Sequence, residues 1–229
     1  MQDLGQEVFP MERKSALLVG ASGLVGGELL NCILIGEEYS KVLILVRKPL
    51  GLVHPKLEER VIEFNELTQY KDYFKVNDVF CCLGTTIKKA GSQEAFKKVD
   101  VEYPLEIARL AKEMRAEKFL VISSMGANPK SSVFYSRMKG QLEQKLKETW
   151  LKSLYIFRPS LLLGDRKEFR ISESVSAFLT KGISFIFVGS LKKYKPIAAK
   201  TVAIGMYKAA QCKTEGIYTY FSNEIAEIS

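Results

Sequence analysis

Ser15-Ala-Leu-Leu-Val-Gly20-Ala-Ser-Gly23-Leu-Val-Gly26-Gly-Glu-Leu-Leu30 decides the fold. Residues 16–19 are apolar, too few for a helix and typical of a parallel strand buried on both faces. The chain then turns through three glycines and leaves as a helix with Leu24, Leu29, Leu30 and Ile33 on one broad side. Strand, glycine turn and helix is the order a dinucleotide site requires. Gly20 permits the tight turn, Gly23 lets bare backbone approach a pyrophosphate, and Gly26 lets the helix pack close to the strand. The helix N-terminus offers free N–H groups and partial positive charge to phosphates. The spacing is G-x-x-G-x-x-G rather than G-x-G-x-x-G, so the other strands must agree with it.

They do. Residues 41–46 form a second buried strand ending in Arg47 and Lys48, and residues 60–64 a third. A polar, weakly helical patch over 65–75 leads to a fourth strand, 78–83, closed by Gly84. A long helix spans 92–116, with Pro104 marking a break or kink. The fifth strand, 118–122, ends in Ser123 and Ser124; a helix over 132–148 leads to the sixth, 153–157. A helix over 201–211 and a last strand over 216–221 follow. Short buried strands alternating with helices predict an α/β, doubly wound parallel sheet of about seven strands. Their C-terminal ends gather at one edge, where a ligand binds. One domain accounts for residues 1–229, with 1–14 as a tail and 159–229 as a small lid, helix and strand region.

The chain has 229 residues, 47% apolar and 26% charged, ordinary for a globular protein. Its formal charge is +8, but the lysines are spread and alternate with acids, and the densest group, Lys192, Lys193 and Lys195, is short. That pattern predicts a solvated surface favouring an anionic cofactor, and no nucleic-acid partner. Cys81 and Cys82 are neighbours in strand four, hence on opposite faces, and are expected as reduced core residues. No cysteine has metal-ligand spacing, and the single histidine, His54, sits in a Gly/Pro-flanked turn, so neither a metal site nor a histidine triad is expected. The N-terminus is charged, without the apolar core of a signal peptide, and no run approaches the roughly 20 apolar residues of a membrane span. A cytoplasmic location follows as an expectation. The apolar run 182–188 beside the lysine group reads as a wall over the substrate pocket, with a homodimer or membrane-surface contact as the alternative.

Chemistry is read from the strand ends. An NAD site wants an acid roughly 20 residues past the glycine loop, to hold the ribose 2′-hydroxyl. Here Arg47 and Lys48 stand instead, a fork and a point charge suited to a 2′-phosphate, which predicts NADP(H). Gly84, at the tip of strand four, leaves bare backbone for the adenosine half. Tyr135 and Lys139 are spaced i, i+4 and share a helix face. The ammonium favours phenolate, and a tyrosine so tuned can donate a proton to a carbonyl oxygen as hydride arrives at carbon. Ser123 and Ser124 precede Tyr135 by 12 and 11 residues, and either hydroxyl could fix that oxygen.

With these residues the chain resembles the short-chain dehydrogenase/reductase superfamily, in the atypical branch similar to the Tat-interacting-protein oxidoreductases. The matching motifs are Gly20-Ala-Ser-Gly23, Val46-Arg-Lys48, Phe80-Cys-Cys-Leu-Gly-Thr-Thr86 and Lys89-Ala-Gly91. They continue with Val99-Asp100, Ser123-Ser124-x-Gly-Ala127, Tyr135-x-x-x-Lys139-Gly140 and Phe157-Arg-Pro159, so the resemblance covers residues 15–170. It implies a Rossmann fold with NADPH contacts at Ser22, Gly23, Leu24, Val25, Arg47, Lys48, Leu83, Gly84, Tyr135, Lys139, Leu162 and Arg170. The superfamily serine falls on Ser124. Asp100 stands where many relatives carry an active-site asparagine, a departure from their proton relay. The implied activity is NADP(H)-dependent interconversion of a small carbonyl and its alcohol. In it Tyr135 is the acid/base, Lys139 tunes it and holds the ribose, and Ser124 orients the carbonyl. The alternative is a non-catalytic NADPH-binding regulator or redox sensor that recognises a protein partner. A sugar-nucleotide epimerase would need a larger C-terminal substrate region.

Overall fold

In the computed structural model, which describes residues 13–149, 151–164 and 189–229, the apolar run that opens the decisive stretch is strand β1 (Lys14–Val19). Helix α1 (Leu24–Ile35) follows the glycine turn and buries Val25, Leu29, Leu30 and Ile33. Strands β2 (Tyr39–Val46), β3 (Leu57–Val61), β4 (Asp78–Cys81), β5 (Lys118–Ile122), β6 (Ser153–Arg158) and β9 (Gly216–Phe221) join β1 in one sheet. Its order is β3-β2-β1-β4-β5-β6-β9, with every pairing parallel. This is a Rossmann-type α/β fold. The chain reverses its direction of travel across the sheet between β1 and β4, where such sheets bind ligands at their carboxyl ends.

Alternate strand residues feed two cores. Ala16, Leu18 and Phe80 join α1, helix α6 (Ala199–Ala209) and helix α7 (Ser222–Ile228) through Leu29, Val202, Met206 and Ile225. Leu17, Val19, Val79 and Cys81 face the other way. There they meet a 3-10 segment (Phe64–Phe74), helix α4 (Tyr103–Glu113) and helix α5 (Phe134–Glu148), through Phe74, Ile107 and Leu142. Both faces are covered, so the strands carry uninterrupted apolar runs.

The glycine turn is enforced sterically. Gly20 adopts φ +93°, and a Cβ there would lie 2.6 Å from the Cys82 carbonyl carbon, so the bare tips of β1 and β4 touch. A Cβ on Gly26 would lie 2.1 Å from the Gly20 carbonyl oxygen, which fixes how closely α1 descends on the turn. Gly23 is the N-cap of α1.

Several elements differ from expectation. The third strand is Leu57–Val61, not 60–64. Its pairing with β2 selects the polar Leu57–Val61 segment, an exposed edge where Glu58 pairs with Lys41 and Arg60, while Ile62 and Phe64 turn into the core. The long helix is α3 (Gln93–Lys97), a π turn (Lys98–Glu102) and α4 in succession. Pro104 has no N–H and its ring crowds the carbonyl four residues back, at Asp100; a widened turn relieves both. Helix α2 (Ile87–Ala90), a short parallel pair β7 (Leu162–Leu163) and β8 (Ile197–Ala198), and α7 are additional. Cys81 is buried in β4, but Cys82 lies past the strand end and is half-buried, on the opposite face. Among the described residues no cluster could hold a metal, and no helix is long and apolar enough to cross a membrane. The tail to residue 12, Arg170 and the run 182–188 lie outside the described residues.

Candidate active site

The carboxyl edge of the sheet gathers the predicted residues from separate strands. The glycine turn follows β1, and the exposed Arg47 and Lys48 follow β2. The half-buried Leu83 and Gly84 follow β4, and Ser123 and Ser124 follow β5. Leu162 in β7 is half-buried, and Gly164 comes so close to Leu24 that a Cβ there would lie 2.7 Å from the Leu24 Cδ1. The segment after β6 therefore lies against the start of α1. Arg47 also feels α4: burial pushes the Tyr103 phenol up, and the Arg47 charge acts in the opposite direction.

The two serines part company. Ser123 is 3% exposed, and its hydroxyl donates to Glu143 Oε1. Glu143 is in turn clamped by Arg158, whose Nε lies 2.9 and 3.1 Å from the two carboxylate oxygens. Ser123 is thus tied into a buried network joining β5, α5 and β6. The Ser124 Oγ is buried and has no hydrogen-bond partner among the described residues. A buried hydroxyl without a partner is costly unless something else supplies one.

Tyr135 and Lys139 sit one turn apart near the start of α5, as the spacing predicts. Loop contacts place that start: Asn128 donates its N–H to the Ser136 carbonyl at 3.0 Å, and Met125 donates to Pro159 at 3.1 Å. Arg137 Nη1 adds hydrogen bonds to the Ser131 and Ser132 carbonyls at 2.8 and 3.0 Å. The Tyr135 ring meets Phe96 edge-on at 5.7 Å, leaving the residue half-buried. Lys139 is 1% exposed, and its ammonium lies 2.7 Å from Asp100 Oδ1. Asp100 Oδ2 accepts the Thr85 N–H at 2.7 Å, one residue past Gly84.

The family is now decided by comparison. The HIM1 family pattern matches residues 54–188, more than half of the chain. Protein HTATIP2 of Rattus norvegicus is 40% identical over 172 residues, 73% of this chain and 71% of that protein. The chain belongs to the HIM1 family. The resemblance to the atypical short-chain dehydrogenase/reductases of the Tat-interacting-protein type therefore holds. The mitochondrial protein FMP52 of Debaryomyces hansenii is 31% identical over 210 residues, 88% of this chain and 90% of that one. Among solved structures, the Bordetella bronchiseptica enzyme WbmH in complex with NAD+ matches 94% of this chain and 79% of its own, at TM-score 0.69 and 16% identity. That likeness carries the fold alone.

One expectation falls here. Several fungal relatives of the chain are named as mitochondrial proteins, which overturns the cytoplasmic assignment. The sequence features behind that assignment speak to membrane spans and signal peptides, not to an organelle. What the residue-by-residue reading missed is the Glu143–Arg158 clamp. Glu143 continues the spacing of Tyr135 and Lys139 by four, so a carboxylate recurring on a face with apolar Met138, Leu142 and Leu146 was its available signal.

Proposed function

We propose that this HIM1-family chain is an NADP(H)-dependent oxidoreductase that interconverts a small carbonyl compound and its alcohol. The observation that carries the reading is Ser124: its buried hydroxyl has no partner among the described residues while the adjacent Ser123 donates to Glu143, which suits a group kept for a substrate oxygen. The residues present fit a nicotinamide dinucleotide. Gly20 and Gly26 let the turn close on the β4 tip and on α1, so the α1 N-terminus opens directly from bare backbone at Gly23, and Arg47 and Lys48 supply charge for a 2′-phosphate. Lys139 would hold the nicotinamide ribose. The bound cofactor supplies or accepts hydride. The chain's own groups do the rest: Ser124 donates a hydrogen bond to the carbonyl oxygen, and Tyr135 delivers the proton to that oxygen in the reductive direction. The FMP52 names extend the proposal to a mitochondrial setting, which fractionation of cells expressing the full chain would read.

The decisive variant is Tyr135→Phe, which keeps the ring on Phe96 and removes only the proton. NADPH binding should survive, while reduction across an aldehyde, ketone and quinone panel falls by about 10²–10⁴. Lys139→Ala should weaken binding and turnover together. A wild-type protein inert across the whole panel, yet binding NADPH, would favour the non-catalytic regulator instead.

A further inference from the structure

Asp100 is the only fully buried charged residue in the helical run 93–113. Its place has a local cause, since Pro104, four residues on, opens the helix into the π turn that carries it. From there its carboxylate makes two contacts to two other elements, Lys139 Nζ at 2.7 Å on α5 and the Thr85 N–H at 2.7 Å beyond β4. The lysine of the Tyr135–Lys139 pair is therefore not an isolated cation. It is one half of an ion pair with both side chains at most 1% exposed.

An ammonium alone beside a phenol favours phenolate; an ammonium backed by a carboxylate at contact distance presents only a dipole. Among the described residues, the other titratable groups on the packed elements are neutral or carry partners of their own. On β4, the Cys81 thiol is pushed up to about 12, chiefly by burial, and stays neutral. One turn further along α5, Glu143 is compensated by Arg158. At the end of α3, Lys97 pairs at the surface with Glu102 at 3.3 Å, and on the π turn Lys98 lies over the Tyr103 ring.

We propose that Asp100 is a positioning residue: it fixes Lys139 against the β4 tip and cancels its charge. The ion pair, not a lone ammonium, sets the pH at which Tyr135 exchanges its proton. Lys139 then serves the ribose as an aimed hydrogen-bond donor, held in register with the backbone beside Gly84. This rests on the placement of Tyr135 and Lys139 at the cofactor in the function proposed above.

Asp100→Asn tests it, because asparagine keeps the shape and an acceptor for the Thr85 N–H while deleting the charge. The readout is the phenol titration of Tyr135, taken as the ultraviolet difference between each protein and the same protein carrying Tyr135→Phe. Relative to wild type, Asp100→Asn should move that midpoint to lower pH by about one pH unit or more. Lys139→Met, which leaves the carboxylate alone, should move it to higher pH. Where turnover is found, the pH–rate profile of Asp100→Asn should shift in the same direction as its titration. A midpoint unmoved or raised in folded Asp100→Asn overturns the proposal, as that is what a purely structural ion pair gives. Should Asp100→Asn fail to fold, Lys139→Met decides alone, and an unmoved or lowered midpoint there refutes it. The titration needs no substrate. An inert carbonyl panel would thus remove the oxidoreductase reading while leaving this measurement to stand or fall separately.

Discussion

Glu143 and Arg158 offer the sharpest energetic test, because they hold the strand-end Ser123 in a buried network. Their side chains are 3% and 20% exposed. Glu143→Leu strands the Arg158 guanidinium and removes the acceptor of the Ser123 hydroxyl. Breaking a fully buried pair from one side costs about 3–5 kcal/mol. Arg158 retains some solvent, which places the expected loss near the lower end, about 3 kcal/mol. For a chain of this size that lowers Tm by about 6–12 °C. Arg158→Met should cost at least as much, since it leaves the more deeply buried carboxylate unpaired. The double variant leaves neither charge behind and should cost only about 1–2 kcal/mol, mostly for the unsatisfied Ser123 hydroxyl. The coupling energy from urea melts of the four proteins should therefore exceed about 2 kcal/mol. Additive single effects, or a loss under about 1 kcal/mol in Glu143→Leu, would refute the view that this clamp is a buried, mutually dependent pair.

Three further outcomes are expected. Arg47→Ala should erase most of an NADPH-over-NADH preference of at least about tenfold, or 1.4 kcal/mol, measured by calorimetric titration of both cofactors; equal wild-type affinities would contradict the 2′-phosphate assignment. Gly20→Ala should lower Tm and abolish cofactor binding together, since φ is +93° and the new Cβ would meet the Cys82 carbonyl carbon at 2.6 Å. Native thiol labelling should modify exposed Cys212 first and Cys81 only on unfolding. Because burial raises the Cys81 thiol from 9.0 to about 12, the folded state binds the extra proton in that window, so Cys81 contributes a loss of stability as pH rises from 9.0 to about 12, readable in alkaline melts with Cys81→Ser as reference.

The inner strands of the sheet were legible because they are buried on both faces. Residues 118–122 and 216–221 read with correct bounds, since their neighbours on either side are turns or helix ends. Of the two edge strands, β9 kept an apolar and aromatic run, whereas β3 was displaced because it carries Glu58, Glu59 and Arg60, and hydrophobicity pointed past them to Ile62 and Phe64. Tyr135 and Lys139 announced themselves by i, i+4 spacing, but spacing left Ser123 and Ser124 equal, and only the family resemblance pointed to Ser124. The choice depends on Glu143 reaching Ser123, a contact 20 residues away across two elements. The mate of Lys139 was equally hidden, because a π turn changes which side of a helix a residue occupies.

These observations converge on one face of α5. Tyr135, Lys139 and Glu143 follow one another at intervals of four, and exposure falls from the half-buried tyrosine to the two buried charges. The lysine meets Asp100, and through it the backbone after β4; the glutamate meets Ser123 after β5 and Arg158 at the end of β6. One helix is thus registered against three consecutive strand tips by buried charge, which is costly to misplace and so specifies a single setting. The outermost member, Tyr135, packs its ring edge-on against Phe96. Rigid charged partners below and a half-buried phenol above is the arrangement that the proposed proton transfer from Tyr135 requires.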